Sequence, residues 1–148
     1  LVISSDLSRA VTTADAIQGT RQRLSHRFGL REINFGKWEL RRFKEIEAED
    51  PEHIRAFWDR PGDVRAPDGE SWNEVRQRVD REIDDLTSAY RGRNLIVVAH
   101  FGAILTQVQR AGGLAAYDAF GHRIDNLSVT EISLHEEGWR TGRINHLP

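Results

Sequence analysis

The 148-residue sequence contains neither cysteine nor methionine. Without cysteine there is no disulfide, no thiolate nucleophile and no cysteine-ligated zinc. Lysine is almost absent too: Lys37 and Lys44 stand beside 19 arginines, so an isolated arginine says little about an anion site. Acidic and basic residues nearly cancel, leaving a formal net charge of -2, which argues against nucleic acid or an anionic membrane as a partner. No apolar run approaches the length needed to span a bilayer. Several catalytic signatures are missing as well: a Walker phosphate loop, a GxGxxG after a strand, an HExxH helix or other metal-ligand spacing, and a GxSxG elbow. A chain that has no methionine and opens directly on Leu1-Val2-Ile3 is expected to be preceded by further residues, so the presence of a signal peptide stays open.

What is present centres on Leu95-Ile96-Val97-Val98-Ala99, continuously apolar and rich in β-branched side chains. Such a run predicts a strand buried on both faces, as in a parallel sheet covered by helices. It ends at His100; Gly102 then allows close backbone approach, and a helix is predicted over Ala103–Ala111. Ligands of open α/β sheets bind at the carboxyl ends of strands, where helix N-termini favour anions. His100 occupies that position.

Leu1-Val2-Ile3 predicts a second buried strand, followed by a helix with Leu7, Ala10, Val11, Ala14 and Ile17 on one stripe, for which Ser5 or Asp6 is the expected cap. Arg9 falls in that helix's first turn, off the stripe, where a cation is unfavourable unless an anion is bound beside it. Gly19–Arg27 reads as a turn and short strand, and Leu30–Glu39 as a compact loop around Phe35, Gly36 and Trp38. A helix over Arg41–Glu49 precedes another opened by Asp50-Pro51, with Ile54, Phe57 and Trp58 inward. Glu70 sits on a turn just ahead of the longest helix, Trp72 to about Tyr90, which Ser71 and Glu74 start as a capping box. A short helix near Leu114–Phe120 and a hairpin of Ser128–Leu134 with Trp139–Ile144 complete one domain. Trp58 and Trp139 read as core rather than interface. Oligomeric state stays open, a homodimer included.

Taken singly, His100 has a plainer reading as a core histidine, Arg9 as a solvated cation and Glu70 as an exposed turn carboxylate. Together a cation, an imidazole and a carboxylic acid suit metal-free phosphoryl transfer: one holds phosphate, one stabilises or attacks phosphorus, one protonates the leaving oxygen.

Five blocks in order carry a resemblance. Ser4-Ser5-Asp6-Leu7-Ser8-Arg9-Ala10 resembles the SSPLxRAxxTA block of the histidine phosphatase (phosphoglycerate mutase-like) superfamily. Leu30–Glu39 is similar to its LxExxFGxWEG block, Gly69-Glu70-Ser71 to its GES motif, Val98–Gly102 to its VSHGG block and Asn126–Thr130 to its NxSVT segment. The sequence departs from these at Thr12 (usually Gln), Leu40 (usually Gly) and Phe101 (usually Gly), the last expected to narrow the phosphate pocket or alter its backbone.

The resemblance implies an α/β, three-layer fold with a mostly parallel sheet and helices on both faces, formed by a single domain over residues 1–148. It implies a phosphohistidine mechanism that needs no metal and no cofactor, with Arg9 and His100 lining the phosphate pocket, Glu70 as general acid/base, and the backbone of Phe101 and Gly102 near the phosphate. The nucleophile it implies lies in an RHG motif on a first strand ahead of the SSPLxRA block. Residues 1–148 hold no RHG, so they are expected to be N-terminally incomplete, unstable and inactive alone. The short stretch from Trp38 to Glu70 points to the compact phosphatase branch, similar to α-ribazole phosphatase, acting on a small phosphorylated metabolite in the cytoplasm. Specificity is expected from variable loops, Arg41–Pro67 and the region ahead of Leu1. A phosphate-binding relative without the nucleophile, or a phosphoglycerate-type mutase, are the alternatives.

Overall fold

A computed structural model describes residues 1–148. In chain order the elements are β1 (Val2–Ser4), α1 (Ser8–Ile17), α2 (Phe43–Glu49), α3 (Pro51–Asp59), α4 (Trp72–Ala89), β2 (Ile96–Val98), α5 (Phe101–Gly112), α6 (Ala116–Ala119), β3 (Ile132–His135) and β4 (Gly138–Thr141). The class is α/β.

β1 and β2 run parallel, with Val2, Ile3 and Ser4 opposite Ile96, Val97 and Val98. On its other edge β1 is lined by the extended residues 22–27: Val2 N–H donates to Gln22, Leu24 N–H to Val2, and Arg27 N–H to Ser4. The strand expected within Gly19–Arg27 is therefore there in hydrogen bonding, though only as an isolated bridge between Val2 and Arg23. α1 packs on β1 and β2. Ile3 turns to Leu24, Leu30 and Leu86 of α4, so helices cover the parallel strands on both sides. β3 and β4 form the antiparallel hairpin, paired from Ile132 with Thr141 to His135 with Gly138, and lie against α5.

β2 differs from its expectation. It has a strand neighbour on one edge only, and Ile96 is 37% exposed while Val97 and Val98 are half-buried. An apolar run is enclosed only when both edges and both faces are covered, and here one edge is bare.

The larger core gathers Ile33, Trp38, Ile46, Ile54, Phe57, Val75, Val79 and Ala103. Phe57 meets Trp38 edge-on at 5.4 Å and Trp58 at 5.1 Å, geometry that adds roughly 0.5–1.5 kcal/mol per pair beyond area burial. Trp58 also meets Phe120, and Trp139 lies under Arg110, so both tryptophans pack intramolecularly.

Two expected caps form: Asp50 accepts from His53 N–H ahead of Pro51, and Ser71 and Glu74 make the capping box of α4. The cap expected for α1 does not. Leu7 is its N-cap, without a side-chain cap, because Ser5 is turned to His100 and Asp6 to Arg31. α5 starts earlier than predicted, at Phe101, and ends in the left-handed Gly113. It is buried nearly all round, including Thr106, Gln107 and Gln109, rather than along one stripe.

Leu40 takes φ 58° and is fully exposed, which explains why glycine is usual there: a leucine held in the left-handed region costs about 1–2 kcal/mol. Gly36 has no such substitute. At φ 53° it lies so close to the Pro67 carbonyl that any Cβ would collide with it, and this contact docks the 30–39 loop on the turn that carries Glu70.

Candidate active site

Three segments meet where β1 and β2 end. β1 runs into Ser5, which is fully buried, and then into α1 with Arg9 in its first turn. β2 runs through Ala99 to His100, the extended residue that starts α5 and is 7% exposed. The third segment is the loop after Leu30, whose buried Leu30 and Ile33 pin Glu32 between them.

His100 Nε2 lies 2.7 Å from Ser5 Oγ, and Leu7 N–H points to the same oxygen at 3.4 Å. Leu7 N–H gives that oxygen one hydrogen bond, and whether the hydroxyl donates to Nε2 or accepts from it depends on the imidazole tautomer. Burial, then the nearby charges of Arg9 and Arg78, push the His100 pKa down from 6.5 to about 4, so the ring is neutral near pH 7.

That depression fixes a sign. Between about pH 6.5 and 4 the unfolded chain takes up a proton that folded His100 refuses. Its contribution to stability is complete above pH 6.5 and is lost as pH falls through about 4. The urea midpoint is expected to drop on acidification across this window, and to drop less in His100→Asn. By NMR, His100 C2–H should titrate near 4 and move upward when inorganic phosphate is added, since an anion stabilises the imidazolium. A ring titrating near 6.5 with and without phosphate would contradict the arrangement.

Glu32 is the carboxylate of this cluster. Gly102 N–H donates to both of its oxygens, at 3.0 and 3.2 Å, and Ile33 N–H donates to Oε1 at 3.0 Å. Burial raises its pKa above the ordinary carboxylate value, against those backbone hydrogen bonds and the charge of Arg9. Gly102 is needed for the approach: a Cβ there would stand 2.5 Å from Glu32 Oε1. Arg9 is exposed, makes no ion pair, and exerts its charge on both His100 and Glu32.

Glu70 is held otherwise. Arg78 Nε donates to its Oε1 and Arg78 Nη2 to its Oε2, both at 2.9 Å, and Asn34 N–H also donates to Oε2 at 2.9 Å. Burial favours its neutral form, but the Arg78 hydrogen bonds, the Asn34 N–H and the Arg78 charge outweigh this and keep its pKa below the ordinary value.

Thus Arg9, His100 and Gly102 come together, and Glu32 joins them. Phe101 needs no unusual backbone, being the first helical residue of α5 at negative φ, and its side chain is 45% exposed. Sequence reasoning missed Glu32, Ser5 and Arg78. Glu32 was detectable as a carboxylate set between two core residues. Arg78 was detectable as a charge between Val75 and Val79 on the buried side of α4.

An apolar cavity of about 250 Å³ adjoins the loop carrying Glu32, lined by Phe35, Trp38, Leu40, Phe43, Ile46 and Trp58 among others. Part of its wall comes from Arg41–Pro67, the stretch expected to set specificity.

Residues 1–147 match the histidine phosphatase superfamily (branch 1). The chain belongs to that superfamily. An adenosylcobalamin/alpha-ribazole phosphatase of Escherichia coli is 29% identical over 138 residues, covering 93% of this chain and 68% of that protein. A protein of Shigella boydii named probable phosphoglycerate mutase GpmB is 30% identical over 155 residues, covering 99% of this chain and 72% of that protein. Among solved structures, the alpha-ribazole phosphatase of Shigella flexneri superposes with a TM-score of 0.82 at 28% identity, covering 98% of this chain and 72% of that one. Bacillus stearothermophilus YhfR has the same fold, with a TM-score of 0.87 at 23% identity, over 99% of this chain and 74% of that one. No helix of this histidine phosphatase superfamily member is long and apolar enough to cross a membrane.

Proposed function

We propose that this protein is a phosphomonoester hydrolase that works through a phosphohistidine, on a small phosphorylated metabolite and without a metal. The observation that carries the reading is the convergence of a buried imidazole, a guanidinium without an ion-pair partner and a carboxyl group at the N-terminus of α5.

Arg9 holds the phosphate at the start of α5, and His100 donates to it from a ring N–H or, once protonated beside the anion, as imidazolium. The attacking nitrogen belongs to a histidine of an RHG segment ahead of Leu1, as the resemblance implies. Its bond to phosphorus forms as the phosphorus–ester oxygen bond breaks, and the departing oxygen takes a proton from a carboxyl group. Water then attacks the phosphohistidine and gives a proton back to that carboxylate, which releases inorganic phosphate and the free imidazole. The resemblance gives that carboxyl as Glu70, and Glu32, beside the N-terminus of α5, is the second candidate. Glu32 lies against Gly102 N–H with its pKa raised by burial, and Glu70 is paired with Arg78, which lowers its pKa.

The test is hydrolysis of phosphomonoesters in EDTA by the polypeptide that includes the RHG segment, beside residues 1–148 alone. Turnover by the longer protein and none by residues 1–148 is expected. Acid-labile phosphate on a histidine should be trapped during turnover. If the longer protein binds phosphate and hydrolyses nothing, it is a binding relative. A mutase reading draws on the likeness to probable phosphoglycerate mutase GpmB, and is tested by whether phosphate moves within a phosphoglycerate rather than to water.

A further inference from the structure

The cavity of about 250 Å³ is walled by Phe35, Trp38, Leu40, Phe43, Ile46 and Trp58 among others. Its Phe35 wall is one residue, about 3.8 Å of backbone, from Asn34. Asn34 N–H donates to Glu70 Oε2 at 2.9 Å, and the Asn34 carbonyl accepts from Glu70 N–H at 2.8 Å. Glu32 lies on the same loop, three residues before Phe35. Whichever of these carboxyls protonates the departing oxygen, the carbon chain on that oxygen starts beside this cavity.

The two charged side chains in the wall are turned to other partners. Glu39 Oε1 accepts from Phe35 N–H at 2.9 Å, and Arg41 donates to Glu49 at 2.6 Å. A carboxylate entering here meets no uncommitted cation in the wall, and hydroxyl groups meet rings and alkyl chains, which strands their hydrogen bonds. The rim is apolar as well. Leu40 holds φ 58° with its side chain fully exposed, and Phe43, the first residue of α2, is 45% exposed. A leucine that buries nothing in the left-handed region works against the fold, and a backbone outlier of this kind is a pointer to function.

We propose that this cavity receives the alcohol portion of the substrate, and that this portion is an aryl or medium-length alkyl group rather than a sugar or a hydroxy acid. The inference rests on the phosphomonoester hydrolase reading. An apolar cavity of about 150 Å³ is enough to hold benzene, so one ring on a short tether fits here. Leu40 and Phe43 cover the tether, which gives an exposed leucine and an exposed phenylalanine apolar surface to bury.

The test uses the protein that includes the RHG segment and two esters of primary alcohols, 3-phenylpropyl phosphate and glycerol 3-phosphate. KM should be at least about tenfold lower for the phenylpropyl ester, with kcat within about threefold. In Leu40→Gly, KM for that ester should rise about three- to tenfold while KM for glycerol 3-phosphate holds. Tm should rise, because glycine adopts φ 58° without strain. A leucine that serves only the fold would not yield a more stable protein with weaker affinity for one ester. Phe43→Ser should raise the same KM and serves if Leu40→Gly does not fold. Equal KM for the two esters, or a phenylpropyl KM indifferent to both substitutions, overturns the proposal.

Binding of 3-phenylpropan-1-ol needs no turnover. It should shift the methyl signals of Ile46 and Ile54, which line the cavity, and Leu40→Gly should require at least about threefold more alcohol for the same shift. If the protein hydrolyses neither ester while the alcohol still moves these methyls, the phosphatase reading fails and the apolar site stands. If the alcohol moves neither, the site fails whatever the activity. A wild-type dimer that Leu40→Gly converts to monomer would assign this surface to a second copy of the chain and overturn the proposal.

Discussion

Glu70→Gln is expected to lower kcat/KM for an alkyl phosphate by about 10²–10⁴-fold, the usual worth of a positioned general acid, while leaving 2,4-dinitrophenyl phosphate, whose phenolate leaves without a proton, within about tenfold of wild type. Glutamine keeps an acceptor oxygen for Asn34 N–H and loses the transferable proton. The pH profile makes the assignment specific. A proton donor must be protonated, so wild-type kcat/KM for the alkyl ester should decline as pH rises through the pKa of Glu70. In Glu70→Gln that limb should vanish. Glu32→Gln distinguishes the two carboxyls. If Glu32 gives the proton, its replacement removes the limb and Glu70→Gln does not. The Arg78 bidentate pair holds the Glu70 pKa down, whereas burial raises that of Glu32, so the two limbs should fall at different pH. A limb retained in Glu70→Gln and lost in Glu32→Gln would reverse the assignment.

The placement of these carboxyls marks the boundary of what the amino-acid sequence discloses. The strand ends, the helix bearing Arg9, the capping box of α4 and the position of His100 were legible, because each follows from a local pattern: an apolar run, a 3.6-residue stripe, or a serine three residues before a glutamate. Local patterns do not say which of two loop carboxylates faces inward. Glu70 and Glu32 both sit in irregular segments. Their separation into an ionised partner of Arg78 and a buried group on Gly102 comes from contacts spanning 8 and 70 positions. The Ser5 hydroxyl shows the same limit. Its sequence context fits a helix cap, and a histidine 95 positions away claims it instead. β2 adds a third case, since a continuous apolar run reports the burial a strand is suited to, not whether both its edges have neighbours.

Arg9→Ala should separate function from stability more sharply than any other substitution. Arg9 stands exposed at the start of α1, with no carboxylate paired to it, where the helix dipole disfavours a cation by ~0.3–1 kcal/mol. A residue kept there for the fold would have a partner; one kept for an anion would wait for it. Removal should therefore leave Tm unchanged or raise it by roughly 1–3 °C. Phosphate affinity should fall about 10–100-fold, the loss of one charge-assisted hydrogen bond, and kcat by about 10²–10³-fold, as when one donor to transition-state charge is removed. The pKa values of His100 and Glu32 should both rise, because the Arg9 charge lowers each of them in the native protein. Arg9→Lys should recover part of the affinity through charge alone and less of kcat, lacking the planar fork that fits phosphate oxygens. Calorimetry with inorganic phosphate, a melt and a single pH titration suffice. Were Tm to fall in step with activity, Arg9 would be structural, and the phosphate would have to be held by His100 and the α5 N-terminus without it.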